Sequence, residues 1–122
     1  MNHKDLDVWK KGMDLVEEVY KLTANFPSNE MYGLSNQLRR AAISIPSNIA
    51  EGSARKGDKE LLYFINVAIG SIAEIETQML IAARLKYVDE HNEIFDKITE
   101  VRKLLLGFRN YIKKKREVNS EK

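Results

Sequence analysis

Leu61, Ile65, Ala68, Ile72, Ile75, Met79 and Ala82 recur at alternating steps of four and three. Ile94, Ile98, Val101, Leu105, Phe108 and Ile112 repeat the pattern. That period holds all of them on one face of an α-helix. It excludes a strand, in which the face changes at every residue. The chain must therefore bury two long apolar helical stripes, and only other helices are available to cover them.

Two earlier segments supply those helices. The first spans about Asp5 to Ala24, with Leu6, Trp9, Met13, Val16 and Tyr20 as its expected inward face. Pro27, Ser28 and Asn29 break the pattern. The second spans about Gly33 to Lys56, with Leu34, Leu38, Ala41, Ile45, Ile49 and Gly52 as its packing stripe. A polar stripe runs beside it: Gln37, Arg40, Ser44, Asn48, Glu51 and Arg55. Gly57 is expected as a C-terminal cap and Asp58 as the N-cap of the third helix. Asp89 is expected to cap the fourth, which runs to about Arg116, with 117–122 frayed. Four helices joined by short turns predict an all-α fold, a single antiparallel up-down-up-down four-helix bundle over residues 1–122. Leu62, Ile69 and Leu80 lie off the third helix's stripe, and that surplus predicts burial by a second chain.

Pro46 sits inside the second helix. An interior proline removes one hydrogen bond and clashes with the carbonyl four residues back, here Ala42, at a cost of about 3 kcal/mol. Pro46, Asn48 and Glu51 are accordingly read as structural: a kink whose freed backbone groups need polar partners.

Composition narrows function by exclusion. The chain has no cysteine, so disulfides and thiolate metal sites are excluded, and this is compatible with a reducing cytoplasm, the expected location. The N-terminal MNHKDLDVWKKG has no apolar signal core, and no apolar run approaches the ~20 residues of a membrane span, so no membrane partner is expected. With His3 and His91 the only histidines, there is no metal-binding motif, phosphate loop or serine triad, and no metal, cofactor or catalytic residue is expected.

Charge points to an anionic partner. Net charge is only +2, but Arg39, Arg40, Arg55 and Lys56 stand against Glu51 alone in residues 32–57, and Lys113-Lys114-Lys115-Arg116 ends the fourth helix. Arginine binds phosphate bidentately, and clustered cations gain by counterion release. Arg39, Arg55, Lys56, Lys113, Lys114, Lys115 and Arg116 are the expected contacts to RNA or DNA. Against this, Arg40 and Arg55 share a stripe with Glu51 and could pair with Glu51, Glu74 or Glu76. The lysine run also complements a helix dipole. Tyr111 and Phe108 are placed on or beside the core stripe, so no stacking aromatic is expected within the basic run. Arg84 and His91 have the loose spacing of the Arg–His motif of HEPN ribonucleases, a pattern that arises easily by chance. Glu30 and Tyr32 are read as loop anchors.

The ordered set Asp7-Val8-Trp9, Phe26-Pro27, Glu30, Tyr32-Gly33-Leu34, Gln37-Leu38-Arg39-Arg40-Ala41-Ala42, Ser44-Ile45-Pro46, Asn48-Ile49-Ala50-Glu51-Gly52, Arg55, Gly70-Ser71 and Glu76-Thr77-Gln78 covers most of the chain. It resembles the four-helix-bundle family encoded by intervening sequences in bacterial 23S ribosomal RNA genes, to which the accessory proteins of diversity-generating retroelements are similar. The resemblance implies a ring-like homopentamer. It also implies, from the retroelement relatives, nucleic acid and a reverse transcriptase as partners. The leading expectation is a non-enzymatic nucleic-acid-binding homo-oligomer. The alternatives are a protein–protein adaptor without nucleic-acid affinity and a HEPN-like ribonuclease.

Overall fold

The computed structural model describes residues 1–120, with side chains described through Val118. Four α-helices carry the fold: α1 (Asp7–Thr23), α2 (Leu34–Ser53), α3 (Asp58–Arg84) and α4 (Ile94–Ser120). Short 3-10 turns at His3–Asp5 and Ser28–Glu30 precede α1 and α2. The helices pack in the order α1–α2–α3–α4, with α4 closing back on α1. Pairs across each seam run in opposite directions. Thr23 meets Arg39 on α2, Gln37 meets Gln78 on α3, and Ser44 meets Ser71. Glu76 meets Arg102 on α4 and Asp58 meets Lys115. Lys11 and Glu18 meet Glu100 and Lys97. Numbers fall on one helix as they rise on its neighbour, so adjacent helices are antiparallel.

The heptad stripes of α3 and α4 are the core. Ile65, Ala68, Ile72, Ile75, Met79, Ala82, Ile94, Ile98, Val101 and Leu105 are at most 1% exposed. Leu61, Leu62, Ile65 and Ile112 form a smaller cluster at one end, against which Phe108 and Ile69 pack.

α1 departs from expectation. Its buried residues are Val8, Gly12, Leu15, Val19 and Thr23. Leu6, Trp9 and Val16 are half-buried, and Met13 and Tyr20 are exposed. The helix carries two adjacent apolar stripes, and the one with the smaller residues faces α2. Gly12 explains the choice: a Cβ there would lie 3.3 Å from Ile45 Cγ2, so its absence lets α2 approach. Thr23 is tolerated inside because its hydroxyl donates to the Val19 carbonyl at 2.7 Å.

The helix ends differ too. α2 stops at Ser53 with Ala54 as its C-cap, and Gly57 has extended backbone at the N-cap of α3. Asp89 accepts from the His91 amide, whereas Asn92 Oδ1 accepts from the Ile94 amide and opens α4. α4 stays helical to Ser120, through part of the segment expected to fray; 121–122 lie outside the described residues.

By length and composition α3 would suffice to cross a membrane, with a mean hydropathy of 1.3 over its most apolar window. Its charges are spaced rather than absent, so the helix is apolar on average without an unbroken apolar run. Only 39% of that window is buried within the chain. Tyr63, Val67, Leu80 and Ile81 are exposed. Of the surplus read in the sequence only Leu80 lies on this outer surface; Leu62 is buried and Ile69 packs against it within the same chain.

Candidate nucleic-acid interface

α4 runs antiparallel to α3, so its last turns lie beside the α2–α3 turn. Lys115 Nζ is 3.7 Å from Asp58 Oδ2. This one contact places Arg55, Lys56, Lys59, Lys113, Lys114, Lys115 and Arg116 at the same end of the bundle. Among the described residues four carboxylate side chains share that end: Glu51, Asp58, Glu60 and Glu117. Lys56, Lys113, Lys114 and Arg116 are exposed, with no ion-pair partner among the described residues. Arg55 is more constrained. Its guanidinium meets Glu51 at 3.0 Å and Glu60 at 3.8 Å and lies 5.2 Å from the Phe64 ring centre. The structural reading of Arg55 therefore accounts for its contacts.

Tyr111 corrects the sequence reading. It is 60% exposed and lines a shallow hollow of about 240 Å³ with Lys114, Lys115 and Val118. Ile112 takes the core position, and its neighbour one residue earlier is turned by a helical step onto the surface. An aromatic ring does stand among the lysines.

Arg39 is elsewhere. It sits near the start of α2, sixteen residues before Arg55, or roughly 24 Å along a helix at 1.5 Å per residue. Its Nε donates to Thr23 Oγ1 at 2.9 Å, and its guanidinium carbon lies 4.5 Å above the Tyr20 ring. Arg40, expected to pair, is exposed without a partner among the described residues. The two adjacent arginines have exchanged the roles their stripes suggested, because α1 presents Tyr20 and Thr23 to Arg39.

Pro46 is buried inside α2. Asn48 does not reach the Ala42 carbonyl that Pro46 releases. Its Nδ2 donates to the Ser44 carbonyl at 2.7 Å and to Ser44 Oγ at 2.8 Å. Ser44 Oγ in turn shares a hydrogen bond with Ser71 Oγ at 2.8 Å. Glu51 pairs with Arg55 rather than with backbone. The polar stripe of α2 is thus a seam against α3, with rungs at Gln37–Gln78, Ser44–Ser71 and Arg55–Glu60.

Other candidates have plain structural explanations. Glu30 is an anchor: Oε1 accepts from the Leu34 amide at 3.3 Å and Oε2 from the Tyr87 hydroxyl at 2.9 Å. That hydrogen bond, with desolvation and the nearby carboxylate charge, holds the Tyr87 phenol above its usual pKa. Tyr32, expected as a second anchor, is 89% exposed. Arg84 and His91 are exposed at the α3–α4 turn, where His91 Nε2 lies 3.5 Å from Glu90. No hydrogen bond joins Arg84 to His91 among the described residues. The described residues hold no group of three metal-ligating side chains.

Residues 4–107 match the pattern of the 23S rRNA-intervening sequence protein family. The fold is similar to a crystal structure of a protein of unknown function from the S23 ribosomal protein family of Bacteroides thetaiotaomicron VPI-5482. That likeness has a TM-score of 0.79 at 21% identity, over 90% of this chain and 99% of the other. No curated protein matches. The basic run at 113–116 lies beyond the matched residues.

Proposed function

The chain belongs to the 23S rRNA-intervening sequence protein family, and from that premise we propose that it is a non-enzymatic nucleic-acid-binding homo-oligomer. The observation that carries this reading is the gathering of basic side chains from the α2–α3 turn and the end of α4 at one end of the bundle. Lys56, Lys113, Lys114 and Arg116 supply the phosphate contacts. Arg55 and Lys115 hold the surface in shape through Glu51, Glu60 and Asp58. Phosphate contacts set affinity without reading sequence. Tyr111 adds a ring on which an unpaired base can stack, which favours single strands.

Self-association rests on two apolar surfaces. One is a groove of about 410 Å³ between α1 and α2, lined by Trp9, Met13, Val16, Ile43, Pro46 and Ala50. The other is the outer face of α3, with Tyr63, Val67, Leu80 and Ile81. Two different faces that bind each other head to tail generate a ring when the rotation closes, and the proposed ring is a pentamer. Repetition around the ring multiplies a weak basic patch.

Fluorescence anisotropy of a generic single-stranded RNA and a generic DNA duplex tests the reading. Binding of both, with Tyr111→Ala weakening the RNA more than the duplex, is expected. The same exposed apolar faces also favour a second reading, a protein adaptor. Absence of binding to either probe at low salt would select it.

A further inference from the structure

Arg39 stands outside the basic end and belongs to a different feature. The loop between α1 and α2 folds over it to leave a hollow of about 190 Å³, lined by Thr23, Phe26, Pro27, Met31, Ser35 and Arg39 among others. A drug-sized ligand needs 300 Å³ or more, so only a small group fits.

Two features of the hollow are those of a binding site. The guanidinium is fixed in advance: Thr23 Oγ1 spends its proton on the Val19 carbonyl and so offers a lone pair to Arg39 Nε, while Tyr20 stacks beneath. Both terminal nitrogens are left without a partner among the described residues. Ser35 is the second feature. It is 5% exposed and lines the hollow, yet its hydroxyl has no hydrogen-bond partner among the described residues. The Ser35 hydroxyl keeps access to the hollow rather than being sealed off, and an oxyanion seated there would accept from it and from the guanidinium. Phe26, Pro27 and Met31 make the remaining wall apolar.

We propose that this hollow binds a carboxylate carried on a short apolar body, with Arg39 and Ser35 holding the carboxylate and Phe26, Pro27 and Met31 covering the carbons. A planar carboxylate matches the two parallel donors of the guanidinium. The site is independent of the nucleic-acid reading, because it lies at the other end of the bundle.

The test is NMR titration of the full chain with butyrate, butyramide and inorganic phosphate. The Arg39 Nε–H and Ser35 amide resonances are the readouts. Butyrate should shift both along a saturable curve, butyramide should not, and phosphate should bind more weakly for lack of an apolar body. Ser35→Ala, which leaves the Thr23 and Tyr20 contacts in place, should weaken butyrate binding. Met31→Glu, on the exposed rim, should abolish it by repulsion or by filling the site itself. Equal shifts from butyrate and butyramide would overturn the proposal. So would saturation by phosphate alone, or butyrate binding unchanged in both variants.

Discussion

Gly52 of α2 and Phe64 of α3 approach so closely that a Cβ built on the glycine would fall 2.9 Å from the phenylalanine Cβ. Leu61 Cδ1 would be 3.0 Å away and the Leu61 carbonyl oxygen 3.4 Å. A Cβ is tied to its backbone and cannot swing aside, so any side chain at 52 must push α3 from α2. Gly52→Ala gains helix propensity of about 1 kcal/mol and loses more to overpacking, which typically costs about 1–3 kcal/mol. Net destabilisation in urea unfolding is the expected outcome. A more stable variant would show that the seam has slack.

The Ser44–Ser71 hydrogen bond has a third member in Asn48. Removing the Ser71 hydroxyl leaves Ser44 Oγ bonded to Asn48, so Ser71→Ala should cost only about 1 kcal/mol. Asn48→Ala removes donors to both the Ser44 hydroxyl and its carbonyl and should cost more. A double-mutant cycle should find the two losses non-additive. Strict additivity would mean that the rungs act separately.

Tyr87 gives the fold an alkaline limit. Its hydroxyl donates to Glu30 only while protonated, and its pKa is raised in the folded state. The contribution is therefore complete below the unfolded value of about 10 and lost as pH rises through the folded value. Above about pH 10 the wild type should lose stability more steeply than Tyr87→Phe, as read by denaturant midpoints. Identical pH profiles would remove Tyr87 as the cause.

Pro46 lines the groove between α1 and α2 beside Met13. Pro46→Ala restores a backbone donor inside α2. The variant should stay fully helical by circular dichroism yet change its mass in light scattering if the groove is the association face. Met13→Lys, at an exposed position, should shift the mass toward the protomer without unfolding it. Unchanged masses in both variants would move self-association to another surface.

The sequence carried the core of α3 and α4 because a heptad stripe of large apolar residues has one reading. α1 was harder: Trp9, Met13 and Tyr20 carry far more apolar area than Gly12 and Thr23, but close approach to Ile45 and Pro46 rewards the small residues. Arg39 and Arg40 could not be assigned from α2 alone, since what fixes Arg39 is Tyr20 and Thr23 on another helix. Tyr111 was within reach, because it stands off the heptad stripe that Phe108 and Ile112 continue. The clustering of Lys56 with Lys113, Lys114 and Arg116 needed the register of α4 along α3, fixed by contacts such as Lys115–Asp58, beyond the antiparallel order that the short turns predict.

The most direct test of the account is the salt dependence of RNA binding by the wild type and by a variant with Lys56, Lys113, Lys114 and Arg116 changed to Ala. Each lost phosphate contact should reduce the slope of log affinity against log salt by about 0.7 on a single strand. The account predicts weaker binding and a slope flatter by roughly 3 when all four contacts are removed. Equal affinity and equal slope in the two proteins would contradict it and leave the basic end as a solvated helix terminus.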